Sequence, residues 1–135
     1  MPMKEKQARI FSLSEANSLL KEVAGVTAKV VRELEEIRQR YQIEPGEGSE
    51  AMPQPAVEEI EHALNGWAGA IAELGALPKG YFTVDFQSRE PEMLYCWTYG
   101  EEKIEFTHKV WENFTHRRPL GHMPDVSEDH LKWVN

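Results

Sequence analysis

A lone cysteine, no apolar run near membrane-span length and too little positive charge set the first limits on this chain of 135 residues. Cys96 has no second cysteine to pair with, so an intrachain disulfide is excluded and a reducing compartment suffices. A bilayer-spanning helix needs about 20 mainly apolar residues, and no stretch approaches that. The opening MPMKEKQARIF is basic but has no apolar segment of the secretory type. A cytoplasmic location without membrane association is the expectation. The net charge of −8 repels phosphate backbones, and the compact basic cluster His116-Arg117-Arg118 is too short to reverse it. Nucleic acid is not an expected partner.

Signatures of catalysis are also missing. There is no HExxH and no paired CxxC. There is no glycine-rich phosphate loop, Gly-x-Ser-x-Gly elbow or dinucleotide fingerprint. No cofactor is expected, and the balance leans away from an enzyme.

What is present is strong periodicity. Ser12-Leu13-Ser14-Glu15 fits a capping box, in which hydroxyl and carboxylate satisfy each other's backbone amides. Behind it Ala16, Leu19, Leu20, Val23, Val26, Val30, Leu34, Ile37 and Tyr41 recur in steps of three and four, predicting a helix over 12–42. Residues 43–54 hold Pro45, Gly46, Gly48 and Pro53, which oppose regular structure and predict a flexible connector. Val57, Ile60, Leu64, Trp67, Ile71 and Leu74 then form a heptad seam, predicting a second helix over 55–75 that Gly75 and Pro78 end. Two such helices pack as an antiparallel hairpin. Leu20 and Val31 widen the first stripe beyond a two-helix seam, so a homodimer through the helices, as a four-helix bundle, is expected.

From residue 81 the period drops to two. Phe82, Val84 and Phe86 alternate with Tyr81, Thr83 and Asp85, and Met93 to Thr98 and Lys103 to His108 read as two further strands. A type II′ turn with Gly100 and Glu101 at its centre pairs Trp97 with Ile104, Cys96 with Glu105 and Tyr95 with Phe106. Tyr95, Trp97, Ile104 and Phe106 then share one face, with Thr98, Cys96, Lys103, Glu105 and Thr107 on the other. The fold class is therefore α+β: a long antiparallel helical hairpin packed with a small three-stranded antiparallel β-meander over 81–108, in a single domain. The rest, 109–135, reads as an irregular C-terminal tail anchored by Trp111 and Phe114, with a short helix over Val126 to Val134 capped by Ser127.

Read together, these residues resemble a bacterial family catalogued as domain of unknown function 2203. The likeness is carried by Phe11-Ser12-Leu13-Ser14-Glu15-Ala16-Asn17-Ser18-Leu19-Leu20 at the helix start, by Val84-Asp85-Phe86, by Cys96-Trp97 with Gly100-Glu101, and by Arg117-Arg118-Pro119-Leu120. Thr107-His108 stands where the family pattern has Trp-His. The resemblance covers roughly residues 11 to 120 and implies an architecture, a helical hairpin with a small sheet. It carries over no catalytic role.

The polar candidates are Asp85, Glu101, His108, His116, Arg117 and Arg118. Carboxylates and imidazoles can ligate a divalent metal, and Asp85, Glu101 and His108 are the set that would do so. A structural role competes with that reading: Asp85 as the ion-pair partner of Arg117 or Arg118, tying tail to sheet. That role is preferred, so no metal is expected. Glu101 reads as a turn residue in water, and His108 as a hydrogen-bonded residue at the rim of the aromatic face. Cys96 opposite Glu105 reads as an inert, semi-buried thiol. Tyr95, Trp97 and Phe106 form a candidate ligand wall beside the arginines. The leading functional expectation is a non-enzymatic oligomerisation or docking module, with an unidentified protein partner as one option. The alternatives are a small metal-dependent or acid–base enzyme, or a binder of small anions, with its site at the sheet end.

Overall fold

The computed structural model describes residues 8–44 and 51–120. Along the chain come β1 (Ile10–Phe11), α1 (Leu13–Arg40), α2 (Gln54–Glu73), β2 (Leu77–Lys79), β3 (Thr83–Ser88), β4 (Met93–Thr98), β5 (Phe106–Lys109), a 3-10 turn (Phe114–His116) and β6 (Arg118–Pro119). The capping box forms as its sequence dictates: the Glu15 amide donates to Ser12 Oγ at 3.0 Å, and the Ser12 amide donates to a Glu15 carboxylate oxygen at 2.8 Å. Gly75 ends α2 with a φ of +95°, a conformation glycine adopts without strain. Its carbonyl accepts the Arg9 amide at 2.9 Å, so the chain entering β1 lies on the end of α2.

Cross-helix bonds give the hairpin its antiparallel sense. Glu59, near the start of α2, accepts from Arg40 and Tyr41 at the end of α1, both at 2.6 Å. Midway, Trp67 Nε1 donates to Thr27 Oγ1 at 2.8 Å, and that buried hydroxyl donates on to the Val23 carbonyl at 2.8 Å. Trp67 is thus both a core knob and a polar tie between the helices.

Among the described residues the sheet is mixed and has six strands rather than three. Beyond β3–β4–β5 it gains β6 on one edge, while the outer edge of β3 is shared by β1, parallel, and β2, antiparallel. The added strands are too short, and in β2 and β6 too interrupted by Pro78 and Pro119, to show alternation in the sequence. The expected irregular tail therefore contains a paired strand, with the Leu120 amide donating to the Glu105 carbonyl at 2.7 Å. The expected helix over 126–134 lies outside the described residues.

Register is the second correction. Cys96 pairs with Phe106, Tyr95 with Thr107 and Leu94 with His108, one residue away from the expected pairing. The cause is the turn. Gly100, at φ +106°, is the third residue of a turn in which the Glu101 amide donates to the Thr98 carbonyl at 3.1 Å. It closes no two-residue hairpin. Instead 99–105 form a longer loop, pinned where the Ile104 amide donates to Asn17 Oδ1 on α1 at 2.9 Å. A one-residue slip exchanges faces, so Thr107 points toward the helices and Phe106 points away.

The core lies between helices and sheet. Phe11, Leu20, Val23, Val30, Trp67, Ile71, Val84, Phe86, Trp97 and Ile104 are buried together, and Phe11 meets Phe86 edge-on at 5.3 Å between ring centroids. Leu20 is therefore covered within the chain, and Val31 is half-buried. These two positions of the wide stripe are thus at least partly covered by the chain itself. Among the described residues, no helix is long and apolar enough to cross a membrane.

Candidate functional site

The site lies on the sheet face turned away from the helices. There Asp85 of β3, Cys96 of β4 and His108 of β5 project together, because Asp85 pairs with Cys96 across the ladder and His108 lies one step diagonally beyond Phe106. All three are buried. His108 Nε2 stands 3.2 Å from each carboxylate oxygen of Asp85. His108 Nδ1 is 2.8 Å from the Lys109 carbonyl, which can only accept, so that nitrogen carries a hydrogen. A hydrogen bond between Nε2 and the carboxylate then needs its hydrogen on one of those two partners. Lys79 Nζ, half-exposed, approaches Asp85 from the rim at 3.9 Å. Burial pushes the Cys96 thiol up to about 12, the Asp85 carboxylate adds to this, and the Arg117 guanidinium opposes it.

The pair opens into a cavity of about 500 Å³. Lys79, Gly80, Tyr81 and Thr83 form one side, Thr98 adds to the floor, and Glu112, Asn113, Phe114 and Thr115 form the other side. Thr83 and Thr98 share a hydrogen bond between hydroxyls at 2.9 Å. The turn at Gly80–Thr83 places two aromatic residues in the left-handed region, Tyr81 at φ +57° and Phe82 at φ +55°. A bulky residue there costs about 1–2 kcal/mol. Phe82 gains an edge-on contact with Trp67 at 5.1 Å. Tyr81 is 98% exposed at the cavity mouth, so burial in this chain offsets nothing.

The six polar candidates do not converge. Asp85 and His108 meet, but Asp85 does not bond Arg117 or Arg118, contrary to the expected ion pair. Arg117 instead forms a two-pronged pair with Glu101 at 3.3 and 2.9 Å and lies over the rings of Phe106 and Phe114 at 3.9 and 4.2 Å. Arg118 forms a two-pronged pair with Glu112, both bonds at 2.8 Å. Arg118, with the Lys109 amide, holds the Glu112 carboxyl down to about 2. His116 is exposed and bonds Asn113 at 2.9 Å. Glu101 is no free turn residue: beyond Arg117, its carboxylate accepts the Thr98 amide at 2.9 Å. The register explains the difference, since it seats Phe106 under Arg117 on the outer face, where the guanidinium pairs with Glu101 and reaches Cys96 Sγ at 4.0 Å rather than Asp85.

The expected wall of Tyr95, Trp97 and Phe106 is likewise divided. Trp97 is core, with Nε1 donating to the Glu101 carbonyl at 2.9 Å, and Tyr95 packs against that core. Phe106 is on the opposite face. Trp111, expected as an anchor, is 64% exposed with Lys109 Nζ 5.3 Å from its ring. Lys79, Tyr81 and Phe114, which line the cavity, were not foreseen as site residues. Cys96, taken as inert, belongs to the polar group; correct register alone would have placed it beside Asp85 and His108.

The fold and site define a class: a two-layer α+β chain with a buried carboxylate–imidazole pair beneath a cavity on its outer sheet face. The chain belongs to the family described as "Uncharacterized conserved protein (DUF2203)", whose model matches residues 9–120. No curated protein and no solved structure matches it.

Proposed function

We propose that this protein binds a small molecule in the outer-face cavity and that Asp85 and His108 exchange a proton with it. The observation that carries the reading is the pair itself, buried yet lining the cavity. A buried ion pair is a poor stabiliser, because desolvation offsets its attraction and apolar side chains of similar size hold a sheet as well. A proton shared between carboxylate and imidazole, with the ring fixed by the Lys109 carbonyl, suits general acid–base work. The volume falls within the range usual for small-molecule sites, about 300–1,000 Å³. Tyr81 and Phe114 suit a flat apolar body, and the floor suits a polar head.

Chemical-shift mapping with a set of small aromatic acids and amides tests this. Hits should perturb amides in 79–85 and 112–115 and weaken at least tenfold in His108→Gln. Hits that map elsewhere, or that bind the variant equally, would reject it.

A second reading is the non-enzymatic docking module, which draws support from exposed Val110 and Trp111, 50% and 64% accessible and adjacent in the chain. Light scattering tests its self-associating form. A dimer lost in Trp111→Glu with the fold intact supports it, and a monomer in both rejects it. A cytoplasmic setting belongs to both readings, supported by the single reduced thiol and the acidic charge.

A further inference from the structure

We propose that Asp85, Cys96 and His108 form a three-ligand site for a divalent transition metal of the zinc class, with the remaining coordination position open to the cavity. The inference rests on the cavity reading only for that open position. The carboxylate, thiol and imidazole donor atoms all lie within 4.8 Å of one another. Bond lengths of about 2.0–2.3 Å place tetrahedral ligands about 3.3–3.7 Å apart. The 3.2 Å between His108 Nε2 and each Asp85 oxygen is already near that spacing, so small side-chain rotations close the site.

The donor chemistry is selective. Oxygen, sulfur and nitrogen together suit zinc or cobalt rather than magnesium or calcium, which take oxygen alone. The ring is also preset: Nδ1–H on the Lys109 carbonyl aims the Nε2 lone pair at the group, the usual outer support of a metal-bound histidine. On binding, the metal replaces the proton between Asp85 and His108 and the thiol proton of Cys96, and both protons leave to solvent. One carboxylate and one thiolate then balance the dication. Two cations compete: Lys79, whose half-exposed side chain can turn to water, and Arg117, whose Nη1 stands 4.0 Å from Cys96 Sγ but whose guanidinium is held in a two-pronged pair by Glu101. Asp85 and His108 border the cavity and Cys96 does not, so the vacant position faces the space a substrate or water would occupy. This is the arrangement of catalytic rather than structural zinc sites.

Untagged full-length protein, dialysed against weak chelator, tests the proposal by elemental analysis and by titration with cobalt. The expected result is one equivalent of zinc or cobalt per chain, with a thiolate-to-cobalt charge-transfer band. Cys96→Ala should abolish the band, and His108→Gln should weaken cobalt binding at least a hundredfold. Unfolding of either variant does not remove the test, because the imidazole nitrogen signals of His108 in wild-type protein must shift at Nε2 and not at Nδ1 on adding zinc. Absence of the band in wild-type protein, its persistence in folded Cys96→Ala, or an unmoved Nε2 would overturn the inference. Fragment binding measured on metal-free protein is a separate readout, so loss of the metal site and loss of the cavity reading are distinguishable.

Discussion

Asp85 occupies a central strand position where an apolar side chain would serve packing better. Its 2% exposure leaves the carboxylate dependent on His108, on the Cys96 thiol and, at longer range, on Lys79. Removing one partner strands the other in a dry site, which costs about 3–5 kcal/mol, whereas replacing both by apolar groups of similar volume is close to neutral. Asp85→Leu and His108→Met should therefore each destabilise strongly, while the double variant recovers most of the loss. Urea unfolding of the four proteins measures this, and simple additivity would show that the two side chains do not act as a pair. Tyr81 is the other residue whose place is poor for stability. Tyr81→Gly should raise stability by about 1 kcal/mol by relieving its left-handed backbone, while weakening fragment binding. A stabilised variant that binds fragments as well as wild type would remove Tyr81 from the site.

At the scale of elements, the helices were legible and the sheet only partly so. α1 and α2 were readable because their stops are local: a capping box at Ser12, Gly75 at the end of α2, and a three-four stripe between. The strands β3 and β4 were readable from alternation, but their neighbours were not. The pairing of β4 with β5 depends on loop 99–105, held by Asn17, a partner 87 positions away from Ile104. No local pattern encodes that bond, so the turn at Gly100 suggested the wrong register, and with it the wrong surroundings for Cys96, Phe106 and Arg117. For the site, residue chemistry alone points to Asp85 and His108, whereas Cys96, Lys79, Tyr81 and Phe114 depend on the face and the turn. The register has its own test. Thr107 Oγ1 is buried toward the helices with no hydrogen-bond partner among the described residues. Thr107→Val should stabilise the fold by about 1–3 kcal/mol by removing that unmet hydroxyl. Under the pairing read from the sequence Thr107 faces outward, and the change would be neutral.

For the whole molecule, the helices bury one face of the sheet, and the segment after β5 covers the other. Arg118–Glu112 and Arg117–Glu101 fasten that cover over the site. Glu112 has a folded value near 2, below the ordinary carboxylate range, so its contribution is fully present above about pH 4.5 and is lost as pH falls toward 2. A carbon-detected titration should find Glu112 still ionised at pH 3.5, with the amides of 112–115 unchanged. A titration near pH 4.5 would show that the clip does not form. The contacts of His108 with Asp85 and the Lys109 carbonyl are read by the nitrogen spectrum of that imidazole in metal-free protein at neutral pH. A protonated, slowly exchanging Nδ1, together with an Nε2 signal that moves in Asp85→Asn, is the predicted result. A ring that exchanges with water like an exposed histidine and ignores Asp85→Asn would contradict it.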